Sequence, residues 1–116
     1  DPKQCETLKR HGDPGLNACY QRLTSSNDLA IRAEGMWGLR NYTGANDAFR
    51  DAVQQRPKDA NLRVRWGRRY LEHWQPGEAV DLFTEALGID PKNAQAFYGM
   101  ALAESQGRIL FGHVPL

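Results

Sequence analysis

Long apolar runs are missing from this chain. None of its 116 residues lies in a hydrophobic stretch approaching the roughly 18 to 20 needed to cross a bilayer, which excludes a spanning helix. The chain opens on Asp1-Pro2-Lys3, with no basic segment leading into an apolar one, so any export signal is expected to have been removed already. Charge of one sign is lacking too. Lys and Arg number 15 against 14 Asp and Glu, and a net charge of +1 provides no global field for nucleic acid or an anionic membrane.

The signatures of catalysis and metal binding are equally scarce. The three histidines, His11, His73 and His113, stand far apart with no second ligand at metal spacing. No Gly-rich phosphate loop, nucleophile elbow or His-Glu-x-x-His pattern occurs. Asp81 and Glu85 share one helix face, but such a pair is expected on a solvated surface before it is expected as an acid–base couple. The expectation is a chain with no catalytic residue, no metal and no cofactor.

What is present is a period. Ala45 returns as Ala79, Phe49 as Phe83, Ala52 as Ala86, Pro57 as Pro91 and Lys58 as Lys92, and in each pair the numbers differ by 34. Ala33, Gly67 and Ala101 keep the same step. A fixed interval of this size marks a stacked repeat architecture. The apolar residues between the repeated positions fall at helical spacings, so the fold class is all-α with about seven helices.

The segment 1–25 reads as a helical hairpin split at Gly12-Asp13-Pro14, with Asp13 as cap and Pro14 in the following first turn. Cys5 and Cys19 lie seven residues either side of Gly12, where an antiparallel hairpin brings residues level, so a disulfide is expected. The alternative is two reduced core cysteines. Beyond the hairpin, cap chemistry in Thr24-Ser25-Ser26-Asn27 opens a helix over 27–40, and Asn41 and Gly44 loosen the chain before a helix that starts near Ala45. Asp59 caps a helix carrying Leu62, Trp66, Tyr70 and Leu71, and Pro76 starts another that closes at Gly88 and Pro91. Asn93 caps a last helix reaching Gly107, with 108–116 as a tail of unassigned state. Small residues at the repeated positions let paired helices approach closely, Ala33 and Gly67 facing Ala45, Ala52, Ala79 and Ala86, with Phe49 and Phe83 filling the space toward the next unit.

Gly67, Tyr70, Ala79, Phe83, Ala86 and Pro91, with Trp66 at a large apolar position, resemble a tetratricopeptide repeat. Ala33, Ala45, Phe49, Ala52 and Pro57 resemble the unit before it. The resemblance spans 26–107 and implies units at 26–59 and 60–93, then the first helix of a further unit at 94–107, with 1–25 as a degenerate repeat or cap. Arg63 and Met36 depart from the pattern, standing where aromatics are usual. The family stacks its units into a right-handed superhelix of antiparallel helix pairs whose first helices line a concave groove.

On that resemblance the chain is expected to be a non-catalytic interaction module that holds a peptide or partner protein in the groove. An accessory, positioning domain of a larger secreted or periplasmic protein, an enzyme among the options, is the alternative. The 34-residue step aligns four inward rows: Asn27, Asn61 and Gln95; Ala30, Val64 and Tyr98; Glu34, Arg68 and Leu102; and Trp37, Leu71 and Ser105. The groove candidates are Asn27, Glu34, Trp37, Asn61, Val64, Arg68, Leu71, Gln95 and Tyr98. Amides that donate and accept can satisfy the main chain of an extended peptide. Trp37 and Leu71 suit a core equally well, and Glu34 and Arg68 suit a pair between neighbouring units. Co-chaperone members grip a terminal carboxylate with lysines and asparagines, and Ala30, Val64 and Glu34 at those places argue against that ligand. Arg63, Arg65, Arg68 and Arg69 spread over more than one helix face, which argues against nucleic acid. Self-association through an uncovered C-terminal repeat end is a further expectation. An oxidised Cys5–Cys19 pair would place the protein in the periplasm or outside the cell, and reduced thiols in the cytoplasm.

Overall fold

The computed structural model describes residues 1–112. Among them the chain forms seven α-helices and no strand: α1 (Pro2–Arg10), α2 (Leu16–Thr24), α3 (Leu29–Gly38), α4 (Tyr42–Gln55), α5 (Ala60–Glu72), α6 (Pro76–Ile89) and α7 (Ala94–Phe111). They divide into two compact units, Asp1–Gln55 and Arg56–Leu116. The expected all-α class is observed, and no helix is long and apolar enough to cross a membrane.

Helix starts follow from capping side chains that accept otherwise orphaned amides. Asp1 accepts from Lys3 N, Asp59 from Leu62 N and Asn93 from Ala96 N. Three starts differ from the sequence expectation, those of α2, α3 and α4. Asp28, one residue beyond the Thr24–Asn27 run, caps α3 by accepting from Ala30 and Ile31. Asn41 does not loosen the chain: its Oδ1 accepts from Gly44 N at 3.0 Å, and α4 begins at Tyr42. In the hairpin, Gly12 adopts φ 61° and Asp13 Oδ1 accepts from Gly15 N, so α2 starts at Leu16. At the other end, α7 runs past Gly107 through Arg108–Phe111, part of the unassigned tail, and stops at Gly112 in the left-handed region. His113 lies outside the described residues.

The N-terminal unit stacks α1 on α2, α2 on α3 and α3 on α4. A disulfide joins Cys5 of α1 to Cys19 of α2, with Cα atoms 5.6 Å apart, and both residues sit in a cluster with Leu23. Helices α2 and α3 approach to backbone distance. A Cβ on Gly35 would lie 2.7 Å from the Tyr20 carbonyl oxygen, so only glycine fits without a shift. Ala33, Ala45, Phe49 and Ala52 are wholly buried, the residues that carried the period in this half.

The C-terminal unit packs α5 on α6, α6 on α7 and α5 beside α7. Phe83 is its centre. A Cβ on Gly67 would come within 2.7 Å of the Phe83 ring, and one on Gly99 of α7 would collide with the same ring. The phenyl group is thus held between two glycines on two helices. The small residue at 67 meets an aromatic directly, while Ala79 and Ala86 fill the space around it. Ala101, which keeps the step of Ala33 and Gly67, is exposed. The buried small residues of α7 are Ala96, Gly99, Ala103 and Gly107, the face turned toward the rest of its own unit.

The step of 34 also appears in the backbone. Arg40 after α3 and Trp74 after α5 are the two non-glycine residues with positive φ among those described, at 66° and 53°. Their numbers differ by 34. The chain turns from a first helix to a second in the same left-handed conformation both times.

Candidate functional site

Two hydrogen bonds set the register between α5 and α7. Near their starts, Asn93 Nδ2 donates to Asn61 Oδ1 at 2.9 Å; near their ends, Gln106 Nε2 donates to the Leu71 carbonyl at 2.8 Å. The offsets of 32 and 35 residues bracket the repeat step, and the helices therefore run side by side in the same direction. Positions 34 apart come level on one side of the unit.

This arrangement sorts the four inward rows by depth. Asn61 and Gln95 of the first row are exposed, and so are Arg68 and Leu102 of the third. Val64 and Leu71 are not. Only 4% and 7% exposed, they belong to the same core as Ala96 and Ala103 of α7. Within this unit the second and fourth rows lie at the seam between α5 and α7, where α7 covers Val64 and Leu71. Their α7 counterparts, Tyr98 and Ser105, are exposed, Tyr98 to 59%, because no described helix follows α7 to cover its outer flank.

In the N-terminal unit Asn27 is exposed just ahead of α3, but Glu34 and Trp37 are buried at 8% and 7%. Trp37 packs edge-on against Tyr42, with ring centroids 5.0 Å apart. Of the nine candidates, Glu34, Trp37, Val64 and Leu71 are thus core residues with almost no surface to offer. Asn61, Arg68, Gln95 and Leu102 lie in the two outward rows of the C-terminal unit, and Tyr98 is exposed beside them on the outer flank of α7.

The arginines of α5 separate in the way their angular spread predicted. Arg63, at a position where an aromatic was expected, donates to Glu85 Oε1 of α6 at 3.0 Å and to the Pro57 carbonyl at 3.1 Å. It clamps α5 to α6, and Glu85 is its ionic partner. Arg69 pairs with Glu72 at 3.0 Å. Arg68 is exposed and makes no ion pair among the described residues, so its charge is available to a ligand.

Sequence reasoning missed one feature of this face. Besides capping α7, Asn93 is buried, at 8% exposed, and anchors Asn61. The signal was Asn61 itself, since an amide in the first turn of a helix already capped by Asp59 can reach a neighbouring helix. Other apolar residues of α7, Phe97 near its start and Ile109, Leu110 and Phe111 at its end, are also exposed. No group of three or more His, Cys, Asp or Glu residues capable of holding a metal occurs among the described residues.

Comparison with protein-family models, curated proteins and solved structures returned no match to this chain.

Proposed function

We propose that the chain is a non-catalytic interaction module of the tetratricopeptide type, which binds a peptide segment or partner protein on the faces of its first helices. One observation carries this reading. Helices α5 and α7 run co-directionally at the repeat step, and their outward rows expose Asn61, Gln95, Arg68 and Leu102 while the seam residues Val64 and Leu71 are buried. Side chains that recur at a fixed step along parallel helices form a lattice of hydrogen-bonding groups to which an extended chain can register. Tyr98 adds a rigid amphipathic contact of the kind that dominates binding surfaces.

The fold is proposed to be a right-handed superhelix of antiparallel helix pairs, with these rows on its concave side. Recurrence of the left-handed turn residue at Arg40 and Trp74 supports the same repeat plan in both halves. The Cys5–Cys19 bridge favours an oxidising compartment, periplasmic or extracellular. The positioning-domain reading draws on that bridge alone.

The test is selection from a displayed random-peptide library, run in parallel with wild type and with Asn61→Ala/Tyr98→Ala. Wild type is expected to enrich a peptide family that the double variant fails to hold by a factor of about ten or more, the scale of losing one good contact. Equal enrichment by the two proteins removes this face as the binding surface.

A further inference from the structure

The orientation of the Asn61 side chain is dictated by a series of obligatory donors that begins inside α7. The Ala96 amide can only donate, and it donates to Asn93 Oδ1 at 3.0 Å. Asn93 therefore turns its Nδ2 to the other side, where it donates to Asn61 Oδ1 at 2.9 Å. Asn93 is buried, and a buried amide is held by such pairing. The carbonyl of Asn61 is thereby engaged by the protein, and the group left for the solvent side of this exposed residue is its NH2. An amide that both donates and accepts when free is here set as a donor.

Arg68 is seven residues further along α5, two turns, which places it on the same stripe about 10 Å away along the axis. It too can only donate. Arg63 and Arg69 of the same helix are held by Glu85 and Glu72. The stripe from Asn61 to Arg68 therefore offers donors and one unneutralised positive charge. Glu72, one turn further along α5, is already paired with Arg69.

From this polarity we infer that the occupant of the face is an extended acidic peptide. A main-chain carbonyl of the peptide accepts from Asn61 Nδ2, and a carboxylate about three residues away accepts from Arg68, because an extended chain advances about 3.3 Å per residue. The inference rests on the peptide-binding reading above and adds to it the sign of the ligand. Arg68 disfavours a chain of basic residues, and the Asn61 NH2 favours a ligand that presents an acceptor.

Three capped nonapeptides on a common Ser/Gly/Leu background, carrying Glu, Gln or Lys at the central position, are titrated into the full chain and followed by amide NMR shifts. The Glu peptide is expected to bind about tenfold more tightly than the Gln peptide, the scale of a hydrogen bond to a charged group, with the Lys peptide weakest. Arg68→Gln, a surface change, is expected to erase the difference between the Glu and Gln arms. Asn61→Asp keeps an acceptor for Asn93 but turns the outward donor into an acceptor. It is expected to weaken the Glu peptide at least tenfold while the melting temperature stays within about 2 °C of wild type. Equal binding of all three peptides, with shifts at Tyr98 and Leu102, overturns the inference and leaves the binding face standing. Unchanged affinity of Asn61→Asp for the Glu peptide also overturns it. Failure of every arm to bind removes both.

Discussion

Asp1–Gln55 is closed by a covalent link at its first hairpin and by a glycine at Gly35 that lets α3 approach the α2 backbone, whereas Arg56–Leu116 is organised around one phenyl ring between two glycines. The hairpin of α1 and α2 has few large side chains to bury. Its cluster consists of the two cysteines and Leu23, flanked by the half-buried Leu8, Leu16, Tyr20 and Ile31. A pair of nine-residue helices with so little core is marginal without a staple. The C-terminal unit instead joins three helices through a continuous apolar core running from Ala60 and Val64 to Ala96 and Ala103. A cross-link compensates for missing apolar area where the chain is short, and packing suffices where a third helix completes the core.

The largest effect expected is at the ring. Phe83→Ala should cost about 3–5 kcal/mol, since it removes an aromatic with no exposed surface and leaves a cavity flanked by glycines that cannot fill it. Hydrogen exchange should show the loss of protection in α5, α6 and α7. Equal loss in α1 to α4 would show that the two units unfold as one and would break the comparison.

Removing the bridge comes next. Cys5→Ser/Cys19→Ser should lower stability by about 3 kcal/mol, the chain-entropy value for a loop of this length. The same exchange experiment should place the loss in α1 and α2 and leave the amides around Phe83 protected. A double variant that melts like wild type would mean that Leu23 and its neighbours suffice to hold the hairpin.

The smallest effect sharpens the comparison at a point the units share. Arg40 and Trp74 hold left-handed backbone that disfavours a side chain by about 1 kcal/mol, while glycine raises the entropy of the unfolded chain. Arg40→Gly and Trp74→Gly should therefore each stabilise by about 0.5 kcal/mol in chemical denaturation. A gain at one site without the other would show that the two turns, alike in conformation, carry different loads.

Much of this could be read from residues in isolation. The step of 34, the caps Asp59 and Asn93, the restart at Pro76 and the placement of Cys5 and Cys19 about Gly12 all depend on local chemistry or on spacing along one helix. The depth of each candidate did not. Val64 and Tyr98 hold equivalent positions, yet one is core and the other surface, because α7 lies over the flank of α5 and no described helix lies over the flank of α7. Ala101 is exposed although its step matches that of the buried Gly67, because Gly67 packs on Phe83 of α6 and no described helix follows α7 to do the same for Ala101.

Sequence alone thus determined the helices, their period and the residues small enough to let them meet, since periodicity specifies which side of a helix is apolar. Only tertiary structure decided which rows a neighbouring helix covers, that Arg63 clamps α6 while Arg68 stays available, and that Asn61 presents its NH2 outward. Burial and hydrogen-bond direction are properties of pairs of helices, and a single strip of sequence does not contain its partner.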